Sequence, residues 1–123
     1  MAKIQIIDDS STLREVLRDV LEGAGHTVIE SIDGLDAYET LKRITDIELI
    51  ISDVNMPRMD GLGLIRRLSE DTSIPKIPIF MMTTEVSLDL KTKAKKVGVV
   101  GWIVKPLSSQ KVLDAIEIIL AKK

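Results

Sequence analysis

Five positions of this 123-residue chain join a reactive side chain to a place where a strand would end. Asp8 and Asp9 follow the apolar run Ile4 to Ile7, and Asp53 follows Leu49 to Ser52. Thr83 follows Ile77 to Met82, and Lys105, with Pro106 after it, follows Val99 to Val104. Taken singly, each has a plain structural use: an aspartate or threonine can cap a helix or start a turn, and a lysine can sit in solvent. Brought to one rim, three carboxylates would repel one another, raising their pKa values or demanding a cation. An all-oxygen ligand set with no His or Cys favours a hard ion. An open site with few carboxylates suits Mg²⁺, with Mn²⁺ able to substitute. Lys105 adds a positive charge that the metal alone does not require but a phosphoryl oxygen would use, and Thr83 can hydrogen-bond another such oxygen. With its charge neutralised in this way, one of the carboxylates can act as a nucleophile towards phosphorus and form an acyl phosphate. The charge added to the product could then drive a conformational change.

The strands and helices that would carry these groups can be read from the hydrophobic pattern. Ile4 to Ile7, Thr27 to Ile32, Leu49 to Ser52, Ile77 to Met82 and Val99 to Val104 have strand length, and several are rich in β-branched residues. Between the first two, Leu13, Val16, Leu17, Val20, Leu21 and Ala24 trace one helical face, and Gly25 supplies a stop. Ser10, Ser11 and Thr12 offer N-cap oxygens, and Thr12 with Glu15 has capping-box spacing. Helical patterns follow the other strands at Leu35 to Ile44, Leu62 to Leu68, Leu88 to Val97 and Val112 to Leu120. This alternation predicts an α/β fold, (βα)5, with five parallel strands, right-handed crossovers and helices on both faces. Ligands of such sheets bind beyond the carboxyl ends of the strands, which is where the polar groups lie.

Composition narrows the function further. A chain of this length fits one domain, expected to span residues 1–123 with no effector domain. The net charge of −2 offers no general attraction to nucleic acid or anionic lipid. The absence of cysteine excludes disulfides, thiolate metal sites and cysteine nucleophiles, and suits a reducing compartment. With no leader-like N-terminus and no run of membrane-spanning length, the expectation is a soluble cytoplasmic protein.

Four segments carry a family resemblance: IIDDS after the first strand, SDVNMPRMDG around Asp53, MTTE after the fourth strand, and GWIVKP near the end. In order and spacing they resemble response-regulator receiver domains along the whole chain, and among these the single-domain CheY-type chemotaxis regulators. The resemblance implies a doubly wound, flavodoxin-like sheet in strand order 2-1-3-4-5. It implies that Asp53 is the phospho-acceptor, and that Asp8, Asp9, Asp53 and the main-chain carbonyl of Asn55 hold Mg²⁺. Thr83 and Lys105 would contact the phosphoryl group, and the Lys105–Pro106 peptide would be cis. Asn55 and Glu85 would flank the path of the hydrolytic water and tune the lifetime of the phosphoryl group. Trp102 stands where the family often has the Tyr or Phe that moves inward with the threonine; an amphipathic ring half-buried beside a strand is the other reading of this residue. Leu107 and Thr84 also depart from the family's commoner Phe and smaller residue.

The implied protein is a monomeric phospho-accepting switch, not a turnover enzyme, with self-catalysed phosphoryl transfer and autodephosphorylation. Its phosphodonor would be a histidine kinase, and its target a protein such as a flagellar motor switch component. The alternative within the same chemistry is a phosphorelay shuttle that passes the group to a histidine phosphotransfer protein. A haloacid-dehalogenase-type phosphatase is disfavoured because Asn55 stands where that class has a second Asp. A flavodoxin-like electron carrier is disfavoured because Asp8 and Asp9 would repel a flavin phosphate. His26 is assigned no chemistry. Met56, Met59, Met81 and Met82 read as packing residues, and Gly61 and Gly63 as a turn and a close helix approach. Lys91, Lys93, Lys95 and Lys96 read as a solvated helix face or as a surface for an acidic partner.

Overall fold

Strand and helix alternate five times in the computed structural model, which describes residues 1–84, 87–96 and 98–122, Lys96 by its backbone alone. The order is β1 (Lys3–Ile7), α1 (Ser11–Gly23), β2 (Thr27–Ser31), α2 (Gly34–Arg43), β3 (Leu49–Asp53), α3 (Gly61–Glu70), β4 (Ile79–Thr83), α4 (Leu88–Lys96), β5 (Val99–Val104) and α5 (Ser109–Ala121). All strand pairs are parallel, and the sheet order is β2-β1-β3-β4-β5. This is the doubly wound (βα)5 arrangement expected from the alternation and from the family resemblance.

A strand buried on both faces sends successive side chains to opposite sides. Ile4, Ile6, Leu49, Ile51, Phe80 and Met82 accordingly pack with Leu17 and Leu21 of α1 and Val112 and Ile116 of α5. Ile7, Ile50, Ile79 and Met81 pack on the other side with Ala37, Tyr38 and Leu41 of α2 and Leu64 and Ile65 of α3. The two half-cores hold the central strands rigid, so the groups at their carboxyl ends have fixed origins.

Several boundaries differ from the pattern-based expectation. β4 begins at Ile79 rather than Ile77; Pro78 has no amide proton for the ladder, though its carbonyl accepts the Ile50 N–H at 3.0 Å. α1 starts at Ser11 because Ser10 is its cap, with Oγ accepting the Leu13 N–H at 3.2 Å. Thr12 and Glu15 are therefore both inside the helix and do not form a capping box. α5 starts three residues before Val112, capped by Ser108. β3 extends to include Asp53 and β4 to include Thr83. Gly25, at φ +95°, turns the chain after α1. Val97, expected at the end of the fourth helix, lies outside the described residues.

Candidate phosphoryl and metal site

The sheet order places β1 and β3 side by side at its centre, so the residues just beyond Ile7 and Ser52 meet at one rim. Asp8 continues the β1 ladder, its N–H donating to the Ser31 carbonyl at 3.2 Å, and its side chain is buried at 1% exposure. Asp9, the next residue, is exposed. Asp53 closes β3 and is also buried. One carboxylate oxygen from each of Asp8, Asp9 and Asp53 lies within 4.8 Å of the others.

Lys105 reaches into this cluster from the end of β5. Its Nζ is 3.4 Å from Asp8 Oδ2 and 3.3 Å from Asp53 Oδ1. Main-chain donors fix the carboxylates further: Ser10 N–H donates to Asp8 Oδ1 at 2.8 Å, and Val54 N–H to Asp53 Oδ1 at 2.9 Å. Burial pushes the Asp8 carboxyl above its usual range, and the neighbouring Asp53 adds to this; the Ser10 amide and Lys105 oppose the rise without cancelling it. One ammonium cannot balance three carboxylates. The donor atoms are all hard oxygens, close enough to share one ion, and they fit Mg²⁺.

Thr83, buried at the end of β4, pairs with Val104, and its carbonyl accepts the Lys105 N–H at 2.8 Å. The Lys105–Pro106 peptide is cis. Asn55 is exposed on the loop leaving β3, two residues beyond Asp53. Trp102 lies in register with Met81, half-buried against the α2–α3 side of the sheet. Glu85 lies outside the described residues.

The other residues singled out from sequence have structural surroundings. His26 Nδ1 accepts the Ala2 N–H at 3.1 Å, which ties down the N-terminus. Met56, Met59 and Met81 pack into the α2–α3 half-core and Met82 into the opposite one. Lys91, Lys93 and Lys95 are exposed, and Lys93 pairs with Asp89 at 3.3 Å.

Two arginines next to the site carried no signal in the sequence. Arg14 of α1 donates from Nη1 to the Asp8 carbonyl at 2.7 Å and from Nε to Glu30 Oε1 at 3.1 Å, while Arg18 holds the other Glu30 oxygen at 2.5 Å. The acidic β1–α1 turn is thereby braced by Arg14, which Glu30 of β2 holds in place. Arg58, on the loop after β3, pairs with Asp33 at the start of α2. In both cases the partner is remote in sequence, and arginine is too common on surfaces for its identity alone to be a signal.

Comparison with known proteins agrees with this geometry. The family described as the response regulator receiver domain matches residues 4–117. The chain is 37% identical over 119 residues to the chemotaxis protein CheY1 of Helicobacter pylori, covering 96% of each chain. It superposes on the Vibrio cholerae chemotaxis protein CheY4 with a TM-score of 0.89 at 35% identity, covering 95% of this chain and 97% of that one. It is also similar to the signal receiver domain of a signal transduction histidine kinase from Syntrophus aciditrophicus, with a TM-score of 0.87 at 30% identity over 99% of this chain and 92% of that one. A family match over nearly the whole chain, together with the acidic rim and the strand order, shows that this chain belongs to the response regulator receiver domains.

Proposed function

We propose that this chain is a signalling switch that takes a phosphoryl group from a histidine kinase onto Asp53. The observation that carries this reading is the placement of Lys105 Nζ within 3.4 Å of both Asp8 and Asp53 at the carboxyl rim of the sheet. Asp53 Oδ1 is engaged by the Val54 N–H and by Lys105, so among the described residues Oδ2 is the oxygen free to attack. Its bond to phosphorus forms as the N–P bond of the donor phosphohistidine breaks, and the electron pair of that bond stays on the histidine nitrogen. Mg²⁺, held by Asp8, Asp9, Asp53 and the main-chain carbonyl of Asn55, with Mn²⁺ able to substitute, supplies neutralisation of the phosphoryl oxygens when bound. Lys105 exchanges its carboxylate partners for a phosphoryl oxygen, and the Thr83 hydroxyl donates to another.

The acyl phosphate is lost by attack of water, and Asn55 and Glu85 tune its lifetime. Movement of Thr83 towards the phosphoryl group is coupled to Trp102, which changes the surface offered to a target protein. Because the relatives just described include chemotaxis proteins, the pathway we infer is chemotaxis, in the cytoplasm, with a monomeric protein and a target such as a flagellar motor switch component. A second reading, a shuttle that hands the group to a histidine phosphotransfer protein, draws support from the similar receiver domain of a histidine kinase.

A small-molecule acyl-phosphate donor with Mg²⁺ should add one phosphoryl group to the protein, read by mass spectrometry, and none to Asp53→Asn. Equal labelling of that variant at another residue would overturn the assignment. Retention of label on Asp53, against its rapid passage to an added histidine phosphotransfer protein, separates the switch from the shuttle.

A further inference from the structure

Arg58 is the one non-glycine residue in left-handed backbone among the described residues, with φ +62°. It sits at the centre of a tight turn in which the Met59 N–H donates to the Pro57 carbonyl at 2.7 Å. Glycine or asparagine would adopt this conformation at lower cost, so an arginine here calls for another explanation. Its guanidinium grips Asp33 with two donors, Nε to Oδ2 at 2.6 Å and Nη2 to Oδ1 at 3.2 Å. Asp33 is only 2% exposed, and its carboxylate also caps α2 by accepting the Asp36 N–H at 2.9 Å. Beside the pair, the Gly34 N–H donates to the Met59 carbonyl at 2.9 Å. A Cβ on Gly34 would collide with that carbonyl, so loop and helix meet backbone to backbone.

The other end of the loop is fastened as well. Gly61 N–H donates to the Val54 carbonyl at 2.9 Å, and Val54 N–H to Asp53 Oδ1. Asn55 therefore lies on a short stretch held at residue 54 on one side and at residues 58 and 59 on the other. A ligand atom that is already in place costs less ordering when its ion binds.

We propose that the Arg58–Asp33 pair is a positioning device for the main chain at Asn55, holding the loop in a metal-ready path before any ion arrives. This rests on the reading of Asn55 as a metal ligand given under Proposed function. Arg58 touches neither metal nor phosphoryl group and acts through the loop. The planar fork supplies what charge alone does not: lysine could pair with Asp33 but could not bridge both of its oxygens in one plane.

The test compares wild type with Arg58→Asn, Arg58→Lys, Asp33→Asn and the double variant Arg58→Asn/Asp33→Asn. Asparagine at position 58 keeps the left-handed turn without the fork, and asparagine at position 33 keeps the cap acceptor without the charge. Mg²⁺ affinity is read by calorimetry, loop order by amide hydrogen exchange across residues 54–61 without metal, and folding by Tm. Arg58→Asn should weaken Mg²⁺ binding roughly tenfold, with faster loop exchange and a lower Tm, because the buried Asp33 carboxylate loses its partner; the double variant should regain Tm but not affinity. Arg58→Lys should recover part of the loss, and the double variant should be no worse than the worse single one. Wild-type affinity in Arg58→Asn, a lost affinity with unchanged loop exchange, or multiplying effects of the two substitutions would overturn the proposal. Wild-type protein that binds no Mg²⁺ would sink the metal reading itself, a different result from wild-type binding that Arg58→Asn leaves intact.

Discussion

At the scale of single residues, Asp8 bears the greatest electrostatic conflict at the rim: it is 1% exposed, and burial with a neighbouring carboxylate raises its pKa from 3.8. An acid whose folded pKa is raised binds more protons when folded than when unfolded. Its contribution to stability is therefore lost as pH rises from 3.8 through the raised value, above which the group is ionised and in conflict with its neighbours. Asp8→Asn keeps the shape and the acceptor for the Ser10 N–H but removes the charge. A relief of about 1 kcal/mol, at the low end of the cost of a poorly compensated buried polar group, would raise Tm by roughly 4 °C in a chain of this size. Thermal unfolding at pH 7 should show that gain, and it should vanish below pH 3.8, where both states of the wild type are protonated. Added Mg²⁺ should raise the Tm of wild type but not of Asp8→Asn. A variant less stable than wild type at neutral pH would show that the carboxylate holds the fold rather than waiting for an ion. Asp8 could be singled out from sequence because it ends a strand beside a second aspartate. Arg14 and Arg58 could not, because their roles depend on Glu30 and Asp33, which come near only once β2 and α2 are in place.

The elements bring these residues together through close contacts that can be tested one glycine at a time. Gly61 opens α3, where an added Cβ would lie 2.5 Å from the Asp53 carbonyl and 3.2 Å from Val54 Cα, and would also strike the end of Met81. Backbone cannot yield as a side chain can, so Gly61→Ala must push α3 away from the end of β3. Overpacking of this kind costs about 1–3 kcal/mol, enough to outweigh the roughly 1 kcal/mol that alanine gains over glycine in a helix. Gly23, the last residue of α1, has nothing within 4 Å of its Cβ position. Gly23→Ala should therefore stabilise by about 0.5 kcal/mol. Urea unfolding of the two variants should move the midpoints in opposite directions, and a destabilised Gly23→Ala or an unaffected Gly61→Ala would refute this account of the packing. The existence and type of the ten elements follow from hydrophobic period, most clearly for the amphipathic α1 and least for α4, whose lysine-rich LDLKTKAKK carries few apolar positions. Their ends were less legible. Three consecutive hydroxyl residues before α1 gave equivalent caps on paper, and the choice of Ser10 was made by where β1 stops. At β4 the start was moved by Pro78, whose missing amide matters only once β3 lies alongside.

For the molecule as a whole, the open question is how an event at the rim reaches the surface, and β5 is the element that spans both. Lys105 at its end touches Asp8 and Asp53, while Trp102, three residues earlier, lines a groove of about 300 Å³ together with Lys91, Lys95 and Val99. The two places share one strand, pinned to β4 by the Lys105 N–H on the Thr83 carbonyl. A phosphoryl group on Asp53 would compete for Lys105 Nζ and for the Thr83 hydroxyl, pulling on the ends of both strands at once. Trp102 is half-buried, so a small shift of β5 against α4 changes how much of its ring meets water. It is also the only tryptophan in the chain, so its emission reports this one place. Mg²⁺ with a beryllofluoride phosphoryl mimic should shift or quench the Trp102 emission, and Asp53→Asn should abolish the response to the mimic. The sequence admitted both a switching ring and a static, half-buried one, because the two differ only after the charge at Asp53 changes. An emission spectrum that stays fixed while mass spectrometry shows Asp53 phosphorylated would decouple the rim from the α4–β5 groove. The signal would then have to leave by another face of the domain.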